Sequence, residues 1–228
     1  MFSEQLLAPL EIIFDPAKVL KKAISLKKYW IPMAIILIVV TIFTFYTAQI
    51  QHADQVKMMK NNPKLMERLT PEQKESFMEY NPSKFIPRVL IGIIIVIPLS
   101  ILILAAFVNW FSQLADIEIS YLSALTITSY ASYIDLLWGG VIKSIFALMK
   151  GTYLAVSTSF TLFVPGLDIT SKTYRILSSF DFFNIWSYGL IAVGISPLPR
   201  GNIKKGMIIA GSIYIIKAII VIGISMIF

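Results

Sequence analysis

Two stretches of this chain, Tyr29–Gln51 and Val89–Ala115, each run for more than twenty residues without a charged side chain. A helix rises about 1.5 Å per residue, so roughly twenty apolar residues cross the ~30 Å hydrocarbon core of a bilayer. Two further apolar blocks follow, Phe182–Ile195 and Gly206–Phe228. The expected fold class is all-α: a polytopic membrane helical bundle with about five transmembrane helices and an N-terminal amphipathic interfacial helix.

Composition narrows the chemistry. Charged residues make up 14% of 228 residues, well below soluble domains, so loops are modest and no large soluble domain fits. With no cysteine, disulfides, thiolate metal sites and cysteine nucleophiles are excluded. A single histidine, His52, excludes a multi-histidine metal cluster, and neither metal nor cofactor is expected. The formal charge of +7 reads as attraction to anionic lipid headgroups, not to nucleic acid. The first apolar block is of spanning length and no small-residue cleavage site follows it, so it reads as a span and not as a secretory signal.

Along the chain, residues 1–29 form a basic amphipathic segment, and residues 30–228 form the membrane domain. In the first, Asp15-Pro16 supplies a cap and a first-turn proline. Val19, Leu20, Ala23 and Ile24 share one helical face, while Lys18, Lys21, Lys22 and Lys28, with Lys27 beside them, form a basic membrane-surface group. The pattern suits a helix in the headgroup plane, or one packed on the bundle. Spans are expected near 30–50, 89–114, 120–148, 181–196 and 206–228, the first opening on the aromatic pair Tyr29-Trp30. A polar helical loop, 51–88, separates the first two. It is broken at Asn62-Pro63 and Asn81-Pro82, and Thr70-Pro71-Glu72-Gln73 reads as a capping box. Residues 151–179 are expected to fold against the bundle without crossing, because Val164-Pro165-Gly166 stops a helix. Basic clusters before the first span and at Arg200, Lys204 and Lys205 place the N-terminus in the cytoplasm and the C-terminus outside. The first loop, which carries Lys57, Lys60, Lys64, Arg68, Lys74, Lys84 and Arg88, argues the other way.

Three ionisable residues fall within expected spans: Asp135, Lys143 and Lys217. A lone charge at the helix centre is unfavourable by about 2.5–3.5 kcal/mol on translocon scales, so each needs a partner, and an Asp135–Lys217 pair would supply one. Thr128, Ala131, Ser132 and Gly139 form a small, polar stripe beside Asp135, suited to close helix approach. The group reads either as a proton or ion relay, or polar cavity, or as a buried pair that sets helix register. Asp181 is well placed to cap the fourth span, with Asn184 one turn on. The phosphate-loop, His-Glu-x-x-His and Gly-x-Ser-x-Gly patterns are missing, so an enzyme is not expected.

The stretch Phe180-Asp181-Phe182-Phe183-Asn184-Ile185-Trp186-Ser187-Tyr188-Gly189-Leu190-Ile191-Ala192-Val193-Gly194 resembles the fourth-span signature of the Yip1 family, carried by Asp181, Ile185, Trp186 and Gly194. Pro16 in its basic segment and Ser129–Ser132 in a polar third helix fit the same pattern, and the resemblance extends from about Leu10 to Phe228. It implies five spans and a cytoplasmic N-terminus. Eukaryotic relatives bind Rab-type GTPases, but this chain lacks their Asp-Leu-Tyr-Gly-Pro motif, so that role does not carry over. The resemblance implies a prokaryotic inner-membrane protein serving a partner complex. Three functions are therefore in view: a non-enzymatic organiser of other membrane components; a small proton- or ion-coupled transporter using Asp135, Lys143 and Lys217; and a lipid-sensing or lipid-binding protein. Expected partners are the bilayer with its anionic lipids and a membrane protein or second copy.

Overall fold

The computed structural model describes residues 2–61, 66–67, 69–169 and 171–227, which form an all-α polytopic bundle. Asn62, Pro63, Lys64 and Arg68 of the first loop lie outside the described residues. Two helices, α1 (Phe2–Phe14) and α2 (Pro16–Leu26), precede the long helix α3 (Trp30–Lys60). The short α4 (Pro71–Met78) leads into α5 (Pro82–Leu114). The third long helix is continuous in direction but not in pitch. It comprises α6 (Tyr121–Ser132), a π-helical segment (Tyr133–Gly139) and α7 (Gly140–Lys150). After α8 (Lys172–Ser178) come α9 (Phe182–Ile195) and α10 (Ile203–Ile227).

By length and composition, α3, α5, Tyr121–Lys150 and Ile203–Ile224 are able to cross a membrane. The fourth apolar block is different. At 14 residues, α9 rises only about 21 Å, less than a bilayer core. It compensates by packing, for Ser187, Tyr188, Leu190, Ile191, Ala192, Gly194 and Ile195 are all buried and one face of α9 is covered by the bundle. Before it, the described residues of 151–181 carry a 3₁₀ turn (Phe160–Phe163) and α8 as their helical elements, neither long enough to cross. This segment folds onto the start of α9: Phe182 N–H donates to Thr158 O at 2.9 Å, and Phe160 N–H donates to Phe180 O at 3.2 Å. Phe160 also packs against the rings of Phe163, Phe180 and Phe182.

The N-terminal segment contains a helix that residues 1–29, read as one amphipathic unit, did not suggest. Asp15 ends α1 and caps α2, its carboxylate accepting from Lys18 N–H at 3.1 Å. Val19, Leu20 and Ala23 of α2, with Ala8 and Ile12 of α1, join Ile127, Tyr133, Ile191 and Ile195 in the main core. The apolar face of α2 is thus covered by protein, while Lys18, Lys21, Lys22 and Lys27 remain exposed. Burying a side chain such as Leu20 or Ile12 fully stabilises by about 1.5–3 kcal/mol, and both have no exposed surface. Trp138 adds a polar anchor, its indole N–H donating to Pro9 O at 2.7 Å.

Beyond the membrane layer, α3 and α5 project far enough to seat α4. The capping box forms as the sequence suggests, with Gln73 N–H donating to Thr70 Oγ1 at 3.2 Å and Thr70 N–H to Gln73 Oε1 at 3.0 Å. His52 is buried under this lid, one ring nitrogen 3.0 Å from Phe77 O and the ring edge-on to Phe85. The histidine thus works as a packing residue between α3, α4 and α5.

Candidate functional site

Two of the three ionisable residues within the spans, Asp135 and Lys217, meet at one asparagine, Asn184. Asp135 sits in the π-helical segment, where the wider turn interrupts the regular ladder; such insertions recur at functional sites. Its Oδ2 accepts a hydrogen bond from Asn184 Nδ2, and the Oδ1 of the same amide accepts from Lys217 Nζ at 2.9 Å. The expected direct Asp135–Lys217 pair is corrected: Asn184 stands between the two charges and bonds both. An amide is suited to this because it carries donors at one end and an acceptor at the other. Lys217 also lies 5.6 Å from the centroid of the Tyr188 ring, a cation–π distance. Lys217 comes fourteen residues after Ile203, about 21 Å along α10, which is inside a ~30 Å core.

Lys143 does not join this group. It pairs at 2.9 Å with Asp181, three residues before Asn184 in the chain. Asp181 is the cap expected from the sequence: its Oδ1 accepts from Phe183 N–H at 3.0 Å and Asn184 N–H at 3.3 Å. Its other oxygen takes the Thr158 hydroxyl as well as Lys143. One carboxylate therefore starts α9, fixes α7 and tethers residues 151–181. Nearby, Asp54 of α3 performs a similar task, accepting from the Thr152 hydroxyl and from Tyr153 N–H, both at 2.6 Å.

The small stripe lets α9 approach closely. Ser187 Oγ donates to Ala131 O at 3.0 Å, a bond from α9 to the backbone of α6. A Cβ at Gly139 would lie 3.0 Å from the Phe183 side chain, and one at Gly194 only 2.6 Å from Ile127 Cγ2. Thr128 and Ser132 bond their own helix: Thr128 donates to Ala124 O at 3.0 Å, and Ser132 to Thr128 O at 2.8 Å. Among the described residues they provide no hydrogen bond between helices, although Ser132 lines a cavity beside Asp135. Ile185 and Trp186 are exposed on the outer face of α9.

Two cavities flank the π-helical segment, with Leu136 lining both. The first, of about 520 Å³, lies against α3 and is lined by Asp54, Lys143 and Tyr153. The second, of about 400 Å³, lies between α5 and α10, with Asp135, Asn184 and Lys217 among its lining residues. Among the described residues, no group of three or more His, Asp or Glu side chains is placed to hold a metal ion.

Sequence reasoning singled out Asp135, Lys143 and Lys217 but not what joins them. Asp181 and Asn184, three residues apart, share a helix face, and that spacing is the signal that both could engage neighbouring helices. Trp138, Tyr153 and Thr158 carried no such signal, since their partners lie far away in the chain.

An all-α bundle with a short, buried fourth helix and polar groups bonded between helices defines an integral, multi-pass membrane protein. The chain matches the Yip1 domain over residues 10–226 and belongs to the Yip1 family. No curated protein and no solved structure matches it significantly.

Proposed function

We propose that this Yip1-family protein is a non-enzymatic organiser that assists other components of a prokaryotic inner membrane, a membrane-protein partner or a second copy of itself among them. The observation that carries this reading is that the embedded polar side chains bond one another across helices. Asp135, Asn184 and Lys217 tie the π-helical segment, α9 and α10 together, and Lys143, Asp181 and Thr158 tie α7, α9 and the segment before it. Such bonds hold helices in register. A proton relay would need a series of titratable side chains bonded to one another. Among the described residues, Asp135 and Lys217 are joined through the Asn184 amide, and neither bonds Lys143 or Asp181.

In this reading the N-terminus is cytoplasmic and the C-terminus outside. Support comes from the placement of charge. The lysines of α2 and the Arg200–Lys205 turn lie at the same end of the bundle, where Lys205 Nζ donates to Ala115 O at 2.9 Å. The positive-inside tendency puts that end in the cytoplasm.

The test is purification from native membranes in mild detergent. A stoichiometric membrane-protein partner or a defined homo-oligomer is expected. A solitary monomer that carries proton or ion flux in liposomes, with flux lost in Asp135→Asn, overturns the reading in favour of transport.

A further inference from the structure

The second cavity is a lateral cleft whose walls and floor differ in chemistry. Its mouth is apolar: Ile103 and Phe107 on α5 face Ile216 and Ile220 on α10, and all four are exposed at the bundle surface. Its floor is the Asp135–Asn184–Lys217 group. An opening of this kind faces hydrocarbon, so whatever enters it comes from the bilayer and brings an apolar chain.

The floor still has hydrogen-bonding capacity of both kinds. An ammonium has three donors, and Lys217 uses one on Asn184; among the described residues it makes no second hydrogen bond, its other neighbour being the Tyr188 ring at 5.6 Å. Asp135 uses Oδ2 on Asn184, and its Oδ1 receives no donor among the described residues. An occupant's head that both donates and accepts satisfies the two at once. Charge then selects among such heads. Asp135 and Lys217 already cancel, so a charged head would leave a net charge about 21 Å along α10, inside the low-dielectric layer, where unpaired charge is heavily penalised. A neutral head leaves none.

We propose that this cleft binds a neutral amphiphile taken from the bilayer: a long apolar chain between α5 and α10, ending in an uncharged donor–acceptor head such as a hydroxyl at Asp135 and Lys217. The volume, about 400 Å³, is within the usual range for a small-molecule site. The π-helical segment contributes the carboxylate, α9 the amide and α10 the ammonium, so the site exists only in the assembled bundle. It is a binding site, and no reaction is assigned to it.

The test uses the full chain reconstituted in lipid nanodiscs with a diazirine-bearing C16 alcohol as photoaffinity probe. Labelling is expected to saturate, to map to α5 and α10 on either side of the cleft, and to be competed by unlabelled hexadecanol but not by hexadecyl phosphate or hexadecylamine. Ile216→Trp, which adds bulk at an exposed mouth position without touching the polar floor, is expected to abolish the saturable labelling while the thermal transition stays in place. Labelling that is spread evenly over α3, α5 and α10 and ignores the competitor overturns the site. Equal competition by the charged amphiphiles overturns the neutral-head assignment. Saturable labelling that survives Ile216→Trp overturns the placement.

Discussion

Adding a single methyl group at Gly194 tests the closeness of α9 and α6 more directly than any change to the polar groups. The new Cβ would stand 2.6 Å from Ile127 Cγ2 and 3.1 Å from Ile127 Cγ1. Ile127 has no exposed surface, and a β-branched side chain in a helix is held to one χ1 rotamer, so the neighbour has nowhere to turn. Overpacking of this kind typically costs about 1–3 kcal/mol. Alanine in place of glycine inside a helix returns up to about 1 kcal/mol of propensity. Gly194→Ala is therefore expected to destabilise by about 0–3 kcal/mol, with the sign set by the clash. The decisive measurement is a double-mutant cycle with Ile127→Ala, which removes both clashing carbons and alone costs about 2–5 kcal/mol. In that background Gly194→Ala refills part of the cavity, so it is expected to stabilise. A coupling of about 0.5–3 kcal/mol is the range for residues in contact. Gly206 provides the control. Its Cβ would meet the backbone carbonyl oxygen of Ala192, which no side-chain truncation removes, so Gly206→Ala is expected to destabilise in both backgrounds. Reversible unfolding in mixed micelles, followed by tryptophan fluorescence, measures all of these. If Gly194→Ala stabilises the parent as much as it stabilises the Ile127→Ala variant, the helices are not this close and the reasoning fails.

Four further outcomes are expected. Asn184→Leu leaves Asp135 and Lys217 without their shared partner and should cost about 1.5–3 kcal/mol, the range for a hydrogen bond to a charged group, since the three side chains are at most half-buried within the bundle; replacing Asp135 and Lys217 together by Asn and Met should recover much of it, read as a thermal shift. Tyr133→Phe should leave stability unchanged or raise it by about 1–3 kcal/mol, because the buried Tyr133 hydroxyl has no partner among the described residues and removing an unsatisfied group lifts its desolvation penalty. Trp138→Phe loses the bond to Pro9 and should raise hydrogen exchange in α1 severalfold, as a loss of about 0.5–1.5 kcal/mol requires, while exchange in α9 stays as it was. Because the chain contains no cysteine, Ser25→Cys and Ser76→Cys report topology cleanly: in intact cells an impermeant maleimide should label position 76 and leave position 25 untouched, and the reverse pattern would invert the orientation.

Hydrophobic block length made the long helices legible, since an uncharged run of this kind leaves the chain few alternatives. Cap chemistry was legible for the same local reason: Asp15, Thr70 and Asp181 bond amides two or three residues away, and sequence contains everything within that reach. The hidden features are those that need a distant partner. The helix α1 has no strong signal in a segment dominated by the lysines after it, and its place depends on Ile12 entering a core built from α6 and α9. The π-helical segment has no local signature, because composition does not record one extra residue in a turn. The Asp135–Lys217 pair was read from cost alone: two opposite charges in lipid need compensation, and direct contact is the simplest form of it. The bundle uses a different form. With Asn184 between them the charges remain apart, each keeps unused hydrogen-bonding capacity, and that capacity faces a cleft open to the bilayer. A direct ion pair would have set helix register equally well and left nothing on the cleft floor for a ligand's head to bind. The bridging asparagine is therefore the residue on which a purely structural reading and a ligand-binding one diverge. In Asn184→Asp the bridge loses its donor to Asp135 and keeps an acceptor for Lys217. Register should survive through Lys217, while saturable labelling by the C16 alcohol probe should fall, because a second carboxylate now takes the ammonium and breaks the neutrality of the floor. Unchanged labelling in that variant would reduce the group to a helix clamp.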